Sequence, residues 1–130
     1  KQLAQIQIQN IINDKSKNII KDKKVGTITL RQQVLTGLPS KELRTIVDRG
    51  KKDIKQGIVV AISIFEGKVG VAVGVTNELT KKYDAVELVK IASEVLGGKG
   101  GGGRKDFAQA GGSNKDKIEG AFQTLSKKIN

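Results

Sequence analysis

The residues best suited to binding a charged ligand lie in one glycine-rich segment, residues 97–112, with the sequence GGKGGGGRKDFAQAGG. This segment holds eight of the chain's 16 glycines together with Lys99 and Arg104. Because glycine has no Cβ, its backbone can adopt positive φ and approach a bound group closely, so that successive amide N–H groups converge on an anion. The apolar residues from Phe107 onward favour an ordered ligand-facing loop over a flexible linker.

The composition excludes several kinds of site. Cysteine and histidine are both absent, which removes the usual ligands of zinc, iron and copper and the usual nucleophile–base pairs. The carboxylates show no spacing typical of magnesium or calcium sites. We therefore expect no cofactor or metal in this chain and no enzymatic activity by the chain alone. Since it begins at Lys1 and contains no methionine, we expect a piece of a longer polypeptide.

The charge is strongly basic and uneven along the chain. The net charge of +11 divides into +8 for residues 1–55, −1 for residues 56–96 and +4 for residues 97–130. A field of this sign attracts polyanions, of which RNA, DNA and anionic membranes are the candidates. No apolar stretch approaches the roughly 18 residues of a membrane span, so we expect no membrane partner and a cytoplasmic location.

The hydrophobic periodicity predicts an α/β fold, with a small central β-sheet flanked by helices and preceded by the end of an N-terminal helical segment. We predict that residues 1–17 belong to this helical segment and that residues 18–130 form one globular domain. Ile19 and Ile20 predict a short edge strand within a charged connection. The remaining predicted strands are 25–35, 57–65 and 69–75, and the predicted helices are 43–54, 85–96 and 118–129.

Local signals refine these elements. Glu66-Gly67 predicts a tight hairpin turn. In the returning strand, valines alternate with Gly70, Ala72 and Gly74, so one face is nearly flat and invites a helix or another backbone to pack closely. Asp84 is a predicted helix cap.

A second capping signal follows the glycine-rich segment. Ser113 with Asp116 resembles a capping box for the last helix.

Basic residues cluster on one side of the helix 43–54. Lys41, Arg44, Lys51, Lys52 and Lys55 fall within a sector of roughly 100° at 3.6 residues per turn. This stripe is either a solvated surface or a face that contacts phosphates, and the pattern alone does not choose between them.

The segment 97–112 resembles the signature near the C-terminus of alanyl-tRNA synthetases, GGKGGGR followed by P-D-M/F-A-Q-A-G-G. The stretches LRTIVDRGKKDI and GIVVAISIFEGKVGVAVGVT occur in the family's order and spacing, so the resemblance covers residues 18–130. The chain departs from the common form by one extra glycine among residues 100–103 and by Lys105, where proline is frequent.

The resemblance implies the non-catalytic C-terminal domain of the synthetase, of the DHH-associated type. Its family binds the outer corner of tRNA, where the D and T loops meet, and so helps aminoacylation and editing act on one tRNA. ATP, magnesium and zinc serve the upstream domains of the family. The implied partners are tRNA, alanine tRNA first, and those upstream domains. A homodimer through residues 1–15 is a further possibility.

The binding residues follow from two sources. The family motif implies contacts from Lys99, Gly100, Gly101, Gly102, Gly103, Arg104 and Gln109. The charge pattern adds Arg44, Arg49, Lys51 and Lys52.

Three alternatives stay open at this point. The chain could be the substrate-binding domain of a DHH-type phosphoesterase, although such enzymes place a histidine after their glycines. It could be a protein-interaction or dimerisation module. It could also be a basic protein that binds any polyanion through its lysines.

Overall fold

A mixed β-sheet lies at the centre of the computed structural model, which describes residues 18–98 and 100–129. Across these residues the sheet has six strands in the order β1-β2-β3-β4-β6-β5. Strands β2 and β3 are parallel, and all other neighbours are antiparallel. The strands are β1 Asn18–Val25, β2 Ile28–Thr36, β3 Gly57–Phe65, β4 Lys68–Val75, β5 Gly100–Gly103 and β6 Phe107–Gly112.

Helices cover both faces of the sheet, as the α/β prediction requires. They are α1 Leu43–Ile54, α2 Ala85–Val95 and α3 Ile118–Ile129. Alternate residues of β3 separate the two cores: Val59 and Ala61 pack with α1, whereas Ile58, Val60 and Ile62 pack with α2 and α3. We call these sides the α1 face and the α2–α3 face. No helix in the described ranges is long and apolar enough to cross a membrane.

The first strand was underestimated from the sequence. β1 is eight residues long and pairs with β2 from Asn18↔Leu35 to Val25↔Ile28, whereas only a short strand at Ile19 and Ile20 was predicted. An edge strand tolerates this charged sequence because its side chains stay in water while its backbone is paired on one side. Val25 ends β1 instead of starting the next strand. The predicted helical segment 1–17 lies outside the described residues.

The two predicted helix caps have different outcomes. Asp84 caps α2, since its Oδ1 accepts a hydrogen bond from the Val86 amide at 2.9 Å. The prediction for Ser113 was wrong. Asn114 accepts from the Asp116 amide at 3.2 Å instead and starts a 3-10 turn, Lys115–Lys117, that leads into α3.

The flat face of β4 is where α1 docks, which confirms the prediction of a closely packed helix. A Cβ on Gly74 would overlap Val47 Cγ1 and lie 2.9 Å from Lys51 Cδ. A Cβ on Gly70 would lie 2.5 Å from Ser40 Cβ and 3.4 Å from Leu43 Cδ1. The start of α1 and its middle thus rest on bare backbone.

Arg31 ties β1 and α1 to β2. Its Nε and Nη2 donate to the two carboxylate oxygens of Asp22 at 2.9 and 3.1 Å, and its Nη1 donates to Asp53 Oδ2 at 3.0 Å. The side chain is only 13% exposed. The hydrogen bond to Asp22 is the main cause that raises the pKa of Arg31. Because its pKa is raised, Arg31 stays charged below pH about 12. The stability that its ion pairs with Asp22 and Asp53 contribute therefore does not vary near neutrality.

Gly74→Ala is expected to lower the free energy of unfolding by about 1–3 kcal/mol, because the new methyl group overpacks the contact with α1. The matched control is Gly120→Ala in α3, where the nearest atom, Val95 Cγ1, lies 3.5 Å away. That variant should gain about 0.5–1 kcal/mol from helix propensity. Urea denaturation measures both, and equal stabilities would contradict the proposed constraint.

Arg31→Ala is expected to cost about 1–2 kcal/mol, because two carboxylates lose a hydrogen-bonded charge. Arg49→Ala, which truncates an exposed side chain of α1 that makes no ion pair in the described residues, should stay within about 0.5 kcal/mol. Thermal unfolding of both variants against the parent chain tests the difference.

Candidate nucleic-acid interface

The glycine-rich segment forms a β-hairpin, which corrects the prediction of a loop over residues 97–112. β5 pairs with β6 from Gly100↔Gly111 to Gly103↔Ala108, and β6 pairs with β4 from Val69↔Gly112 to Gly74↔Phe107. Glycine has low β-propensity, so the sequence gives little local signal for strands. Pairing with β4 and burial of Ala108 supply the stability that the glycines lack. We call this element the glycine hairpin, residues 100–112.

Two glycines of the hairpin lie where the neighbouring strand β6 comes too close for a side chain. A Cβ on Gly101 would overlap the Gln109 carbonyl oxygen and lie 2.6 Å from Ala110 Cβ, and a Cβ on Gly103 would overlap the Phe107 carbonyl oxygen. Gly102 differs, because no atom lies within 4 Å of its Cβ position. It is directly opposite Gln109 and shares its face of the sheet.

The turn of the hairpin is fixed by backbone hydrogen bonds. The Arg104 amide donates to the Phe107 carbonyl at 2.6 Å and closes the turn. The Ala85 amide donates to the Lys105 carbonyl, and the Val75 amide donates to the Asp106 carbonyl, both at 2.9 Å. The exposed Arg104 side chain therefore projects from an anchored backbone.

Helix α1 lies beside the hairpin, and three polar contacts connect the two. The Arg44 guanidinium lies 5.3 Å from the centroid of the Phe107 ring, in cation–π range. Lys51 Nζ donates to the Asp106 carbonyl at 3.3 Å. Gln109 Nε2 donates to the Ser40 carbonyl at 2.7 Å, just before α1. These contacts join α1 and the hairpin into one surface.

Phe107 is a half-buried anchor of this surface. Its ring packs against the hydrophobic core on the α1 face and lies beneath Arg44. The alternative that it stacks on a base is not favoured by this position.

A row of residues without bulky side chains crosses the same face. Ser63 of β3 pairs with Gly70 of β4, Gly70 pairs with Gly111 of β6, and Gly111 pairs with Gly100 of β5. We call Gly70, Gly111 and Gly100 the glycine row. With strands about 4.8 Å apart, the row extends about 10 Å across the sheet. Ser40 covers Gly70, whereas Gly111 is exposed and its Cβ position meets only the Val69 carbonyl oxygen at 3.8 Å, so a flat ligand can approach the backbone at Gly111.

The structure brings together most of the residues predicted to bind nucleic acid. Gly100 to Gly103, Arg104, Gln109, Arg44 and Lys51 belong to the hairpin or touch it. Lys52 lines a shallow cleft with Lys51 and Asn77. Arg49 lies apart, in a cavity with Ile20 of β1 at the other end of the sheet. Lys99 lies outside the described residues.

Sequence reasoning missed Ser40 and Ser63, which flank the glycine row. Serines are common in turns and strands, and nothing in their spacing relates them to residues 97–112. Within the described residues, no group of three or more acidic side chains could hold a metal ion.

The glycine-rich hairpin and its sheet occur in a known family. Residues 28–130 match the profile of the DHHA1 domain. The chain belongs to the DHHA1 domain family. This DHHA1 domain is 48% identical over 101 residues to alanine–tRNA ligase of Hyphomonas neptunium, a match covering 78% of this chain and 12% of that enzyme. It is 44% identical over 106 residues to the ligase of Bradyrhizobium diazoefficiens, covering 81% and 12%. The chain thus spans about an eighth of these relatives' length.

Two solved structures resemble the DHHA1 domain. The C-Ala domain from Aquifex aeolicus alanyl-tRNA synthetase superposes with a TM-score of 0.77 at 34% identity, covering 82% of this chain and 96% of that one. A DHH domain protein described as a member of a ribosomal protein family gives a TM-score of 0.58 at 16% identity, covering 96% and 30%, and shows the fold alone. The predicted resemblance to the C-terminal part of alanyl-tRNA synthetase is confirmed. The match to C-Ala also confirms the expectation that this DHHA1 domain is not an enzyme by itself.

Gly101→Ala is expected to destabilise the glycine hairpin by about 1–3 kcal/mol, because the methyl group meets β6 backbone. Gly102→Ala is the matched control, since its methyl group enters open space and should change stability by less than about 0.5 kcal/mol. Native-state hydrogen exchange of the amides in β5 and β6 reports each effect locally. Equal exchange in the two variants would show that the hairpin does not need this close approach.

Proposed function

We propose that this chain is the tRNA-binding domain of an alanyl-tRNA synthetase and that its α1 face binds the outer corner of tRNA. The observation that carries the proposal is the surface that α1 and the glycine hairpin form together, with bare backbone at Gly102 and Gly111 and exposed cations at Arg44 and Arg104, in a chain related to alanine–tRNA ligases. Folded RNA is recognised largely through its shape, its exposed base surfaces and its phosphates. A rigid hairpin with exposed backbone and with cations near its turn is complementary to such a surface.

The charges near the turn of the glycine hairpin supply the phosphate contacts in this proposal. Arg104 and Arg44 are exposed and carry planar guanidinium groups, which bind phosphate oxygens with two hydrogen bonds. Lys51 and Lys52 extend the cationic surface along α1. The net charge of +11 adds a long-range attraction for any nucleic acid. Shape selects the corner of the tRNA, and charge sets the overall affinity.

In the complete synthetase, this contact would hold one tRNA while the upstream domains aminoacylate and edit it in the cytoplasm. Alanine tRNA is the proposed ligand because the relatives are alanine–tRNA ligases. A phosphoesterase function is not supported, because the residue after the glycines is Arg104 and the chain contains no histidine.

The paired change Arg44→Gln with Arg104→Gln is expected to weaken binding of alanine tRNA at least about tenfold, because two charge-assisted hydrogen-bonding groups are lost. The slope of log affinity against log salt should fall by about 1 for each phosphate contact removed. The control pair Lys127→Gln with Lys128→Gln removes the same charge from α3, on the other face of the sheet. It should weaken binding about twofold or less. Fluorescence titrations at several salt concentrations measure both.

The same titrations with a tRNA whose D-loop to T-loop contact is broken test the shape component. Preference for the intact corner should persist as salt rises and disappear in Gly102→Val, which projects a side chain from the α1 face. Equal losses from the two charge pairs, with no preference for the intact corner, would favour nonspecific polyanion binding.

A further inference from the structure

A cavity of about 460 Å³ opens on the α1 face, between the start of α1 and the β3–β4 turn. Gly70 and Gly111 of the glycine row line it, with Ser40, Ser63 and Phe65 around them. This volume lies within the usual range of small-molecule sites. The cavity adjoins the glycine row but lies away from the charged turn at Arg104.

Ser63 gives the cavity a buried polar group without a partner. The residue is 1% exposed, and its hydroxyl makes no hydrogen bond within the described part of the chain. A Cβ on Gly70 would lie 3.0 Å from Ser63 Oγ and 2.5 Å from Ser40 Cβ, so the hydroxyl lies at the corner of the cavity where Gly70 and Ser40 meet. Buried polar groups are almost always hydrogen-bonded, so this unpaired hydroxyl is free to bond a polar ligand that enters the cavity.

The charge of the lining favours a neutral ligand. The charged residues that line the cavity are Glu66 and Lys68, one of each sign, at the β3–β4 turn. A phosphate would meet the Glu66 carboxylate there and would be bound better by Arg104 or Arg44. The ligand should therefore be uncharged and polar.

The shape of the lining favours a planar group. Gly70 and Gly111 contribute bare backbone, and Phe65, which is 37% exposed, contributes an aromatic ring. The serine hydroxyl both donates and accepts hydrogen bonds, so it can pair with the edge of a nitrogen heterocycle. Unpaired nucleobases in RNA are commonly held in this way, by stacking and by hydrogen bonds to their edges.

We infer that this cavity binds a single unpaired nucleobase, whose edge pairs with the Ser63 hydroxyl. The inference rests on the proposed function in one respect, because a tRNA lying along the glycine row would supply that base from a neighbouring loop nucleotide. The pocket itself is expected to bind free nucleosides without any tRNA.

Two substitutions probe the cavity without disturbing the fold. Ser63→Ala removes the hydroxyl and loses no hydrogen bond of the described chain, so stability should be unchanged or slightly higher. Gly111→Val fills the cavity, and its Cβ would meet only the Val69 carbonyl oxygen at 3.8 Å. Gly102→Val is the control. It adds a valine side chain on the same face of the sheet, but from β5 and at a position that does not line the cavity.

The first experiment titrates the 130-residue chain with adenosine, guanosine, cytidine and uridine, followed by amide chemical shifts. Saturable shifts centred on Ser63, Gly70 and Gly111 are expected for at least one nucleoside. Affinity should fall about fivefold to tenfold in Ser63→Ala, be lost in Gly111→Val and be retained in Gly102→Val. The absence of saturable shifts with all four nucleosides, or shifts that Gly111→Val does not remove, would overturn the inference.

The second experiment probes base accessibility in alanine tRNA bound to the same variants. One unpaired base should be protected by the parent chain and exposed in Ser63→Ala, while the complex still forms. If tRNA binds but no protection depends on Ser63, the base pocket is wrong and the proposed function stands. If nucleosides bind the pocket but tRNA does not bind the chain, the proposed function fails and the pocket remains.

Discussion

The close approach of α1 to β4 is the constraint on which the arrangement of the α1 face depends. Gly70 and Gly74 leave the flat side of β4 with only the Ala72 methyl group between them, and α1 rests on the backbone at both glycines. A methyl group at either position would push the helix outward. Since protein interiors pack at high density, such a shift cannot be absorbed locally. The position of α1 therefore follows from two residues that contribute no side-chain contacts of their own.

This position sets the relation between the helix and the glycine hairpin. Because α1 lies close to the sheet, Arg44 reaches the Phe107 ring and Lys51 donates a hydrogen bond to the Asp106 carbonyl. The Asp106 carbonyl also accepts the Val75 amide, so the turn of the hairpin is bound both to the sheet and to the helix. A rigid backbone at this turn lowers the entropy lost when a ligand binds the side chains that it carries.

Glycine has three different roles on this sheet. At Gly74 it admits a helix, at Gly101 it admits a neighbouring strand, and at Gly102 it leaves open space. The first two are requirements of folding, while the third has no packing reason in the described structure. The proposed tRNA contact would use this open glycine, because a ligand can approach its backbone. The proposed tRNA contact and the proposed base pocket both use the open part of the α1 face, and they differ in whether charge or a buried hydroxyl dominates.

The sequence by itself determined the helices, the central strands, the Glu66-Gly67 turn and the family, because each depends on local periodicity or on a contiguous motif. It also marked the flat face of β4 as a docking surface. Only the tertiary structure decided that the glycine segment is a hairpin, since glycines have low strand propensity and the strand that supports β6, β4, is distant in the chain. It likewise separated Arg49 from Arg44 and placed Ser63 beside Gly70 and Gly111. The physical reason is the same in each case: contacts between distant segments depend on how strands pair and helices dock, and no spacing within one segment encodes them.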